Sequence, residues 1–267
     1  MSMRYFIDVG PDCTVTELAS GGASRSELVD RNPANPSSND GSTAYRYLFD
    51  LGDNITPVSC VAFFGLSSGM QGGTISIKRS ATAPTVAGDW ASFDEDEIYI
   101  YNSRKFEPFE DCGYDATNDN YYRYWMIQVD PPSGGSGFIG EIALGFLQQP
   151  IISFQNGREN ITRIPNTSRS TIGGINFSYQ NNNADANVFN LSWDAANNLQ
   201  ALAQLKELFK LTKGGLYPFV IIPHDEQRTN SCYYVRSQQQ ASDVQAFYNQ
   251  HTYQLQLQEQ IAFEEPV

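Results

Sequence analysis

Apolar side chains fall on alternate positions over several stretches of the first half of the chain. In 44–52 (AYRYLFDLG), Tyr45, Tyr47, Phe49 and Leu51 recur with period two, which predicts a strand with one buried face. Further strands are predicted at 58–66 (VSCVAFFGL) and 73–80 (GTISIKRS), separated by the turn SSGMQGG. The stretch 121–150 organises the rest. YYRYWMIQVD, the turn PPSGGSG and FIGEIALGF read as a closing hairpin, with Ile139, Ile142, Leu144 and Phe146 supplying most of the second strand's apolar area. A short strand is expected at 3–9. Residues 20–43, dominated by Gly, Ser, Asn, Asp and Pro, are expected as a long loop, either a contact arm or a surface segment. Trp90, Phe93, Ile98, Tyr99 and Ile100 supply later apolar positions.

Gln148-Gln149-Pro150 punctuates the chain and the texture changes there, which divides it into 1–147 and 148–267. Short strands are expected at 151–154, 161–164, 173–179 and 189–193. The period then shifts, with Leu199, Leu202, Leu205, Leu208, Phe209 and Leu211 recurring at steps of three and four, so an amphipathic helix is predicted over 194–212. Ser192 or Asp194 is the expected cap, Lys206, Lys210 and Lys213 suit the negative end of the dipole, and Gly214-Gly215 stops the helix. Strands are predicted after it at 217–223, 232–236 and 252–259, the last with Tyr253, Leu255 and Leu257 inward.

Composition agrees with a mainly β protein. The 267 residues are 40% apolar and 13% aromatic, enough for ordinary cores, while Lys and Arg number only 17. A net charge of −13 repels phosphate and anionic lipid, which argues against nucleic-acid wrapping and membrane-surface binding as the main activity. No run approaches the ~18 apolar residues that span a bilayer, and MSMRYFIDVG lacks the apolar core of a signal peptide, so synthesis in the cytosol is expected. Cys13, Cys60, Cys112 and Cys232 form no C-x-x-C pair and are expected as reduced thiols.

Candidate chemistry changes this picture little. His224 and His251 have no evident partner for acid–base work and read as solvated loop residues. Asp94-Glu95-Asp96-Glu97 and the cluster Asp111, Asp115, Asn118, Asp119, Asn120 contain hard oxygen ligands but lack EF-hand spacing, and read as solvated or contact surfaces. The glycine-rich pieces at Gly21 and Ser133 precede no phosphate-cradling Lys and helix. Tyr121, Tyr122, Tyr124 and Trp125 fit cross-strand core pairs better than a sugar platform. A cell-wall hydrolase would need two carboxylates at glycosidase separation, for which the sequence gives no placement. The chain is therefore expected not to be an enzyme, with no catalytic, cofactor-binding or metal residue assigned.

Two resemblances supply what composition does not. YRYLFDLG, VSCVAFFGL, GTISIKRS, YRYWMIQV and IGEIALG resemble, in order, the strands of discoidin-like (galactose-binding-like) jelly rolls, with Arg123-Tyr124-Trp125 and Ile139-Gly140-Glu141-Ile142 the best matches. The second segment resembles the small β-barrel with helix of phage tail-tip and distal tail proteins. That likeness is carried by Trp193, Leu199, Leu202, Leu205, Gly214, Tyr217, Pro218, Phe219, Pro223, Tyr234, Val235 and Glu259, with the two units in the reverse of their usual order. The resemblances imply an all-β fold, a jelly-roll sandwich at 1–147 followed by a ring-forming β-barrel at 148–267. They further imply a phage virion tail protein, a hexameric ring of copies linking the tail tube protein to the baseplate hub. Ring closure needs two complementary patches on each copy, for which the helix end, the strand YPFVIIP and the 20–43 loop are candidates. Tyr217, Phe219 and Arg236 are the candidate assembly contacts. The alternative is a carbohydrate-binding module recognising a host glycan through the sandwich loops, with Trp90 and Tyr101 as candidate sugar contacts. No cofactor, membrane or specific nucleic-acid partner is expected.

Overall fold

The period-two stretches become strands in a computed structural model of the chain. It describes residues 4–18, 23–33, 35–38, 45–53, 56–67, 69, 73–84, 94–95, 99–102, 121–131, 137–150, 160–172, 175–194, 199–223, 232–237, 242–247 and 250–260. Backbone alone is described at 23, 38, 94–95, 99–102, 160–172, 175–186, 193–194, 199, 201–202, 242–247 and 250–252. The first half contains Arg4–Phe6 (β1), Thr14–Glu17 (β2), Ala23–Ser24 (β3), Ser37–Ser38 (β4), Tyr45–Asp50 (β5), Cys60–Phe64 (β6) and Thr74–Ser80 (β7). It continues with Asp94–Glu95 (β8), Tyr99–Asn102 (β9), Tyr124–Asp130 (β10), Phe138–Ile139 (β11) and Glu141–Gly145 (β12), and has short 3-10 turns at Gly10–Asp12 and Ser26–Val29. The second half contains Asn160–Ile172 (β13), Ile175–Asp194 (β14), the helix Leu199–Leu211 (α1), Phe219–Ile222 (β15), Tyr233–Ser237 (β16), Ser242–Phe247 (β17) and Gln250–Glu259 (β18). The fold is mainly β with a single helix among the described residues.

One six-stranded sheet has the order β3-β2-β5-β10-β7-β8, and a smaller one the order β12-β6-β9, in which β6 and β9 run parallel. β10 is central, pairing Ile127 with Tyr47 on one side and with Ile77 on the other. Alternation along β5 buries Tyr45, Tyr47 and Phe49, and these face Val61, Phe63, Ile142 and Leu144 of the smaller sheet across one core with Trp125, Ile127 and Val129. The two sheets therefore make a sandwich. The expected long loop at 20–43 contains β3, β4 and a 3-10 turn, because Leu28 and Val29 enter that same core.

The second half forms a seven-stranded sheet, β1-β15-β16-β18-β14-β13 with β17 also on β18. Among the described residues no pairing joins β1 to β13, the two ends of that path. β1 comes from the other side of the division expected near Gln148. Arg4, Tyr5 and Phe6 pair with Ile222, Ile221 and Val220, and Tyr5 exchanges backbone hydrogen bonds with Gln148. β13 and β14 pair with each other out to Ile172 and Ile175, while β18 covers β14 only from Val188 onward, so a two-stranded ribbon extends beyond the sheet.

β6 and β15 bind the halves together because neither has a solvent face. Val61 and Phe63 enter the sandwich core, whereas Cys60, Ala62 and Phe64 meet Phe6, Ala143, Val220, Ile222, Cys232 and Tyr234 in a second core. On β15, Phe219 and Ile221 face the opposite way, into a third core with Leu205 and Leu208 of α1. The order of layers is sheet, sheet, sheet, helix, each pair separated by a buried apolar layer.

The helix is described from Leu199, and Asp194, where it was expected to begin, is the last residue of β14. Ser192 and Asp194, the expected caps, pair with Gln254 and Thr252 near the end of β14. At its other end Lys213, Gly214 and Gly215 all have positive φ, and the Gly214 N–H reaches the Phe209 carbonyl at 2.9 Å, a termination that glycine makes at little cost. Cys13, Cys60 and Cys232 are free thiols, and burial pushes all three above the usual thiol range.

Candidate assembly surface

Residues 30–33 are shaped by a buried carboxylate. Glu141, at the start of β12, is fully buried and accepts hydrogen bonds from the Arg31 and Asn32 N–H groups at 3.2 and 3.1 Å. Asp30 accepts from Asn32 N–H and Asn35 Nδ2 at 2.8 and 2.7 Å, closing the turn from the solvent side. Arg31 has φ +64, a left-handed conformation stabilised by those bonds. Gly140 is required here, because a Cβ would collide with the Pro33 carbonyl oxygen and press on that of Phe64.

The consequence is that Arg31 is aimed at the second half of the chain. Its guanidinium carbon lies 3.9 Å from the centroid of the Tyr217 ring, just after α1. Lys213 reaches the same ring, its Nζ 4.4 Å from the centroid and donating to the Tyr217 hydroxyl at 2.7 Å. The Lys213 hydrogen bond and the two positive charges hold the phenol below its ordinary pKa. Leu211 and Leu216 are exposed around this cluster. The 20–43 segment, the end of α1 and the Tyr217 segment, read from sequence as separate candidates, thus meet on one surface.

Behind it lies a second buried acid. Asp8 Oδ1 accepts from Gly10 N–H (2.9 Å) and Leu144 N–H (3.2 Å), and Oδ2 accepts from the Tyr234 hydroxyl at 2.9 Å. Burial raises Asp8 to about 6, against the opposing pull of those three donors, and raises Glu141 further, with Asp8 adding to it. Tyr234 is also raised, by burial first and then by Asp8. Neither carboxyl has surface on which to meet a substrate, so their role is to fasten β12, β16 and the 30–33 turn together. Among the described residues no three His, Cys, Asp or Glu side chains are placed to hold a metal ion.

The other residues singled out from sequence fall in different places. Phe219 is 1% exposed, inside the core beneath α1, so as a candidate surface contact it is corrected: it packs the subunit's own interior. Arg236 is half-buried in β16 opposite Gln258, and it follows Val235, which pairs with Phe219, while its neighbour Ser237 lies against Gly215, so it sits beside the Tyr217 segment. Tyr101 is described in its backbone only, in β9 opposite Ala62. Trp90, His224, Cys112, the 111–120 cluster and the strand expected at 151–154 lie outside the described residues, as do Asp96 and Glu97. His251 is described in its backbone, in β18 opposite Gln245. Sequence reading missed Asp8, Arg31 and Glu141. The one available signal was a Glu inside the otherwise apolar IGEIALG. Compared with protein-family models, curated proteins and solved structures, the chain matches none.

Proposed function

We infer that the chain is a non-enzymatic structural subunit of a tailed-phage virion, assembling with copies of itself into a ring near the distal end of the tail, between the tail tube and the baseplate hub. The observation that carries this reading is the Arg31–Tyr217–Lys213 surface, where three segments with assembly potential converge on a support fixed by buried hydrogen bonds. The β13–β14 ribbon agrees with it. Two-stranded ribbons are marginal on their own, and an arm that overruns its sheet suits a subunit whose neighbours complete it. Native mass spectrometry with negative-stain imaging of the purified chain tests the reading: closed rings of one stoichiometry are expected, and a monomer at every concentration overturns it.

A second reading, a glycan-binding module, has one described feature in its favour. Tyr121 is an open ring beside the Arg123–Asp50 pair (2.7 and 3.1 Å), the combination of flat face and planar polar groups that sugars use. Discrete binding on a glycan array by a monomeric chain would select it over ring assembly.

A further inference from the structure

All four large apolar side chains that stand open to solvent among the described residues fall into two groups, at opposite ends of β12. Leu211 (49% exposed) and Leu216 (60%) flank the Tyr217 cluster, which Arg31 ties to Glu141, the first residue of that strand. Phe146 (45%) directly follows Gly145, the last residue. Tyr121 (56%) belongs to the Phe146 end. Tyr45, at one end of β5, lies by the Glu141 end, its hydroxyl donating to the Gly137 carbonyl at 3.0 Å, whereas Tyr124, three residues on from Tyr121, pairs with Asp50 at the other end of β5.

The two groups also differ in charge. Around the leucines stand Lys210, Lys213 and Arg31. Lys210 pairs with Glu207 at 3.5 Å, whereas among the described residues Lys213 and Arg31 meet no carboxylate as an ion pair. Asp30, the nearby acid in sequence, is held in its turn by Asn32 and Asn35 and keeps its charge, which leaves the cations in excess by one. Around the aromatics stand Asp12, Asp50 and the fully exposed Asp53, against two guanidiniums, Arg123, which pairs with Asp50 and Asp53, and Arg79, which lies over the Tyr122 ring. In a chain of net charge −13, two copies approaching by most of their surfaces repel each other. The cationic leucine face is where an acidic face can approach.

We propose that a second copy of this chain docks head to tail, seating its Tyr121–Phe146 acidic end on the Leu211–Leu216 cationic end of the first. The contact is heterologous, so repeating it closes a ring or grows a filament according to the angle it sets. It rests on the ring-subunit reading and deepens it by naming both faces. Exposed leucines and aromatics supply the non-directional attraction, and Lys213 and Arg31 against Asp12 and Asp53 set polarity and register.

Sedimentation velocity of the full chain, at low and at physiological salt, provides the test. Wild type is expected to associate with rising concentration, and more weakly as salt rises. Lys213→Glu and Asp53→Lys are each expected to weaken association tenfold or more, Leu216→Ser similarly, while the double variant Lys213→Glu/Asp53→Lys recovers most of it. Unchanged circular dichroism and melting verify folding, and should Lys213→Glu fail to fold, Leu216→Ser carries the comparison. Variants that assemble as wild type does overturn these faces and leave the ring-subunit reading standing. A wild type that remains monomeric overturns both.

Discussion

Asp8 and Tyr234 are 226 residues apart in sequence and share a 2.9 Å hydrogen bond in the interior, between the smaller sheet of the sandwich and the seven-stranded sheet. The carboxyl also accepts from Gly10 and Leu144, so one acid joins the N-terminal segment, β12 and β16. Its burial decides how stability responds to pH. In the folded state Asp8 holds its proton to about 6, whereas the unfolded chain loses it near 3.8. The native state therefore binds more protons across that window, and stability falls as pH rises through it. Glu141 is raised in the same direction by burial and extends the decline to higher pH. Denaturant midpoints should drop from about pH 4 upward, with the share of Asp8, about 3 kcal/mol at most, complete by about pH 7 and that of Glu141 continuing above it. A stability that climbs over that range would contradict this.

Asp8→Asn separates charge from geometry. The amide oxygen can still accept from Gly10 and Leu144, and the amide nitrogen can donate to the Tyr234 hydroxyl oxygen. This variant should flatten the pH dependence and be more stable than wild type at pH 8, with the difference shrinking toward pH 4. Tyr234→Phe, which leaves a carboxyl oxygen without its donor, should instead cost about 1–3 kcal/mol in urea unfolding.

Arg25 protects another buried acid. Its Nε donates to Glu17 Oε2 at 2.6 Å and an Nη also pairs with it, while the Glu17 side chain has no exposed surface. Arg25→Ala should destabilise the fold by about 3–5 kcal/mol, as removal of one partner from a buried pair does. Arg25→Ala/Glu17→Gln should regain much of that loss, measured by chemical denaturation.

Cutting the chain at Gln148 should not yield two stable pieces. A 148–267 fragment lacks β1 and exposes Val220, Ile222, Cys232 and Tyr234, all buried in the core shared with Phe6 and Phe64. It should aggregate or bind a hydrophobic dye when expressed alone, and become soluble on co-expression with 1–147. A fragment that is monomeric and melts cooperatively by itself would contradict this. In the intact chain, Phe6→Ala should cost about 3–5 kcal/mol.

Gly140→Ala should unseat the 30–33 turn, since the added methyl meets the Pro33 and Phe64 carbonyl oxygens. Lower stability is expected together with faster amide exchange at Arg31 and Asn32, whose N–H groups would leave Glu141.

Patterns carried by local periodicity were legible in the sequence. Tyr45–Asp50 and Thr74–Ser80 are strands where alternation predicted them, and Gly214 and Gly215 adopt the positive φ that ends α1. The end of β14 was not legible, because Ser192 and Asp194 look locally like the start of a helix but are held in the strand by pairing with β18. Tertiary pairing overrode local propensity there. Nor does Arg4–Phe6 carry any mark of joining a sheet made from residues beyond 160, since period two says that a face is buried and nothing about which partner buries it. The candidate surface was half legible. Tyr217 and the loop were noticed, but the acids that fix their relation were not, because Asp8 and Glu141 owe their roles to neighbours more than 100 residues away and only Glu141, inside IGEIALG, left a mark.

Strand β6 turns alternate residues into two different cores and keeps none for water. A party wall of this kind removes the slack that a linker between independent modules would provide. Bending one half must distort the packing of the other, because close-packed interiors yield little. Pulled at one end and braced at the other, such a molecule would pass the load straight through.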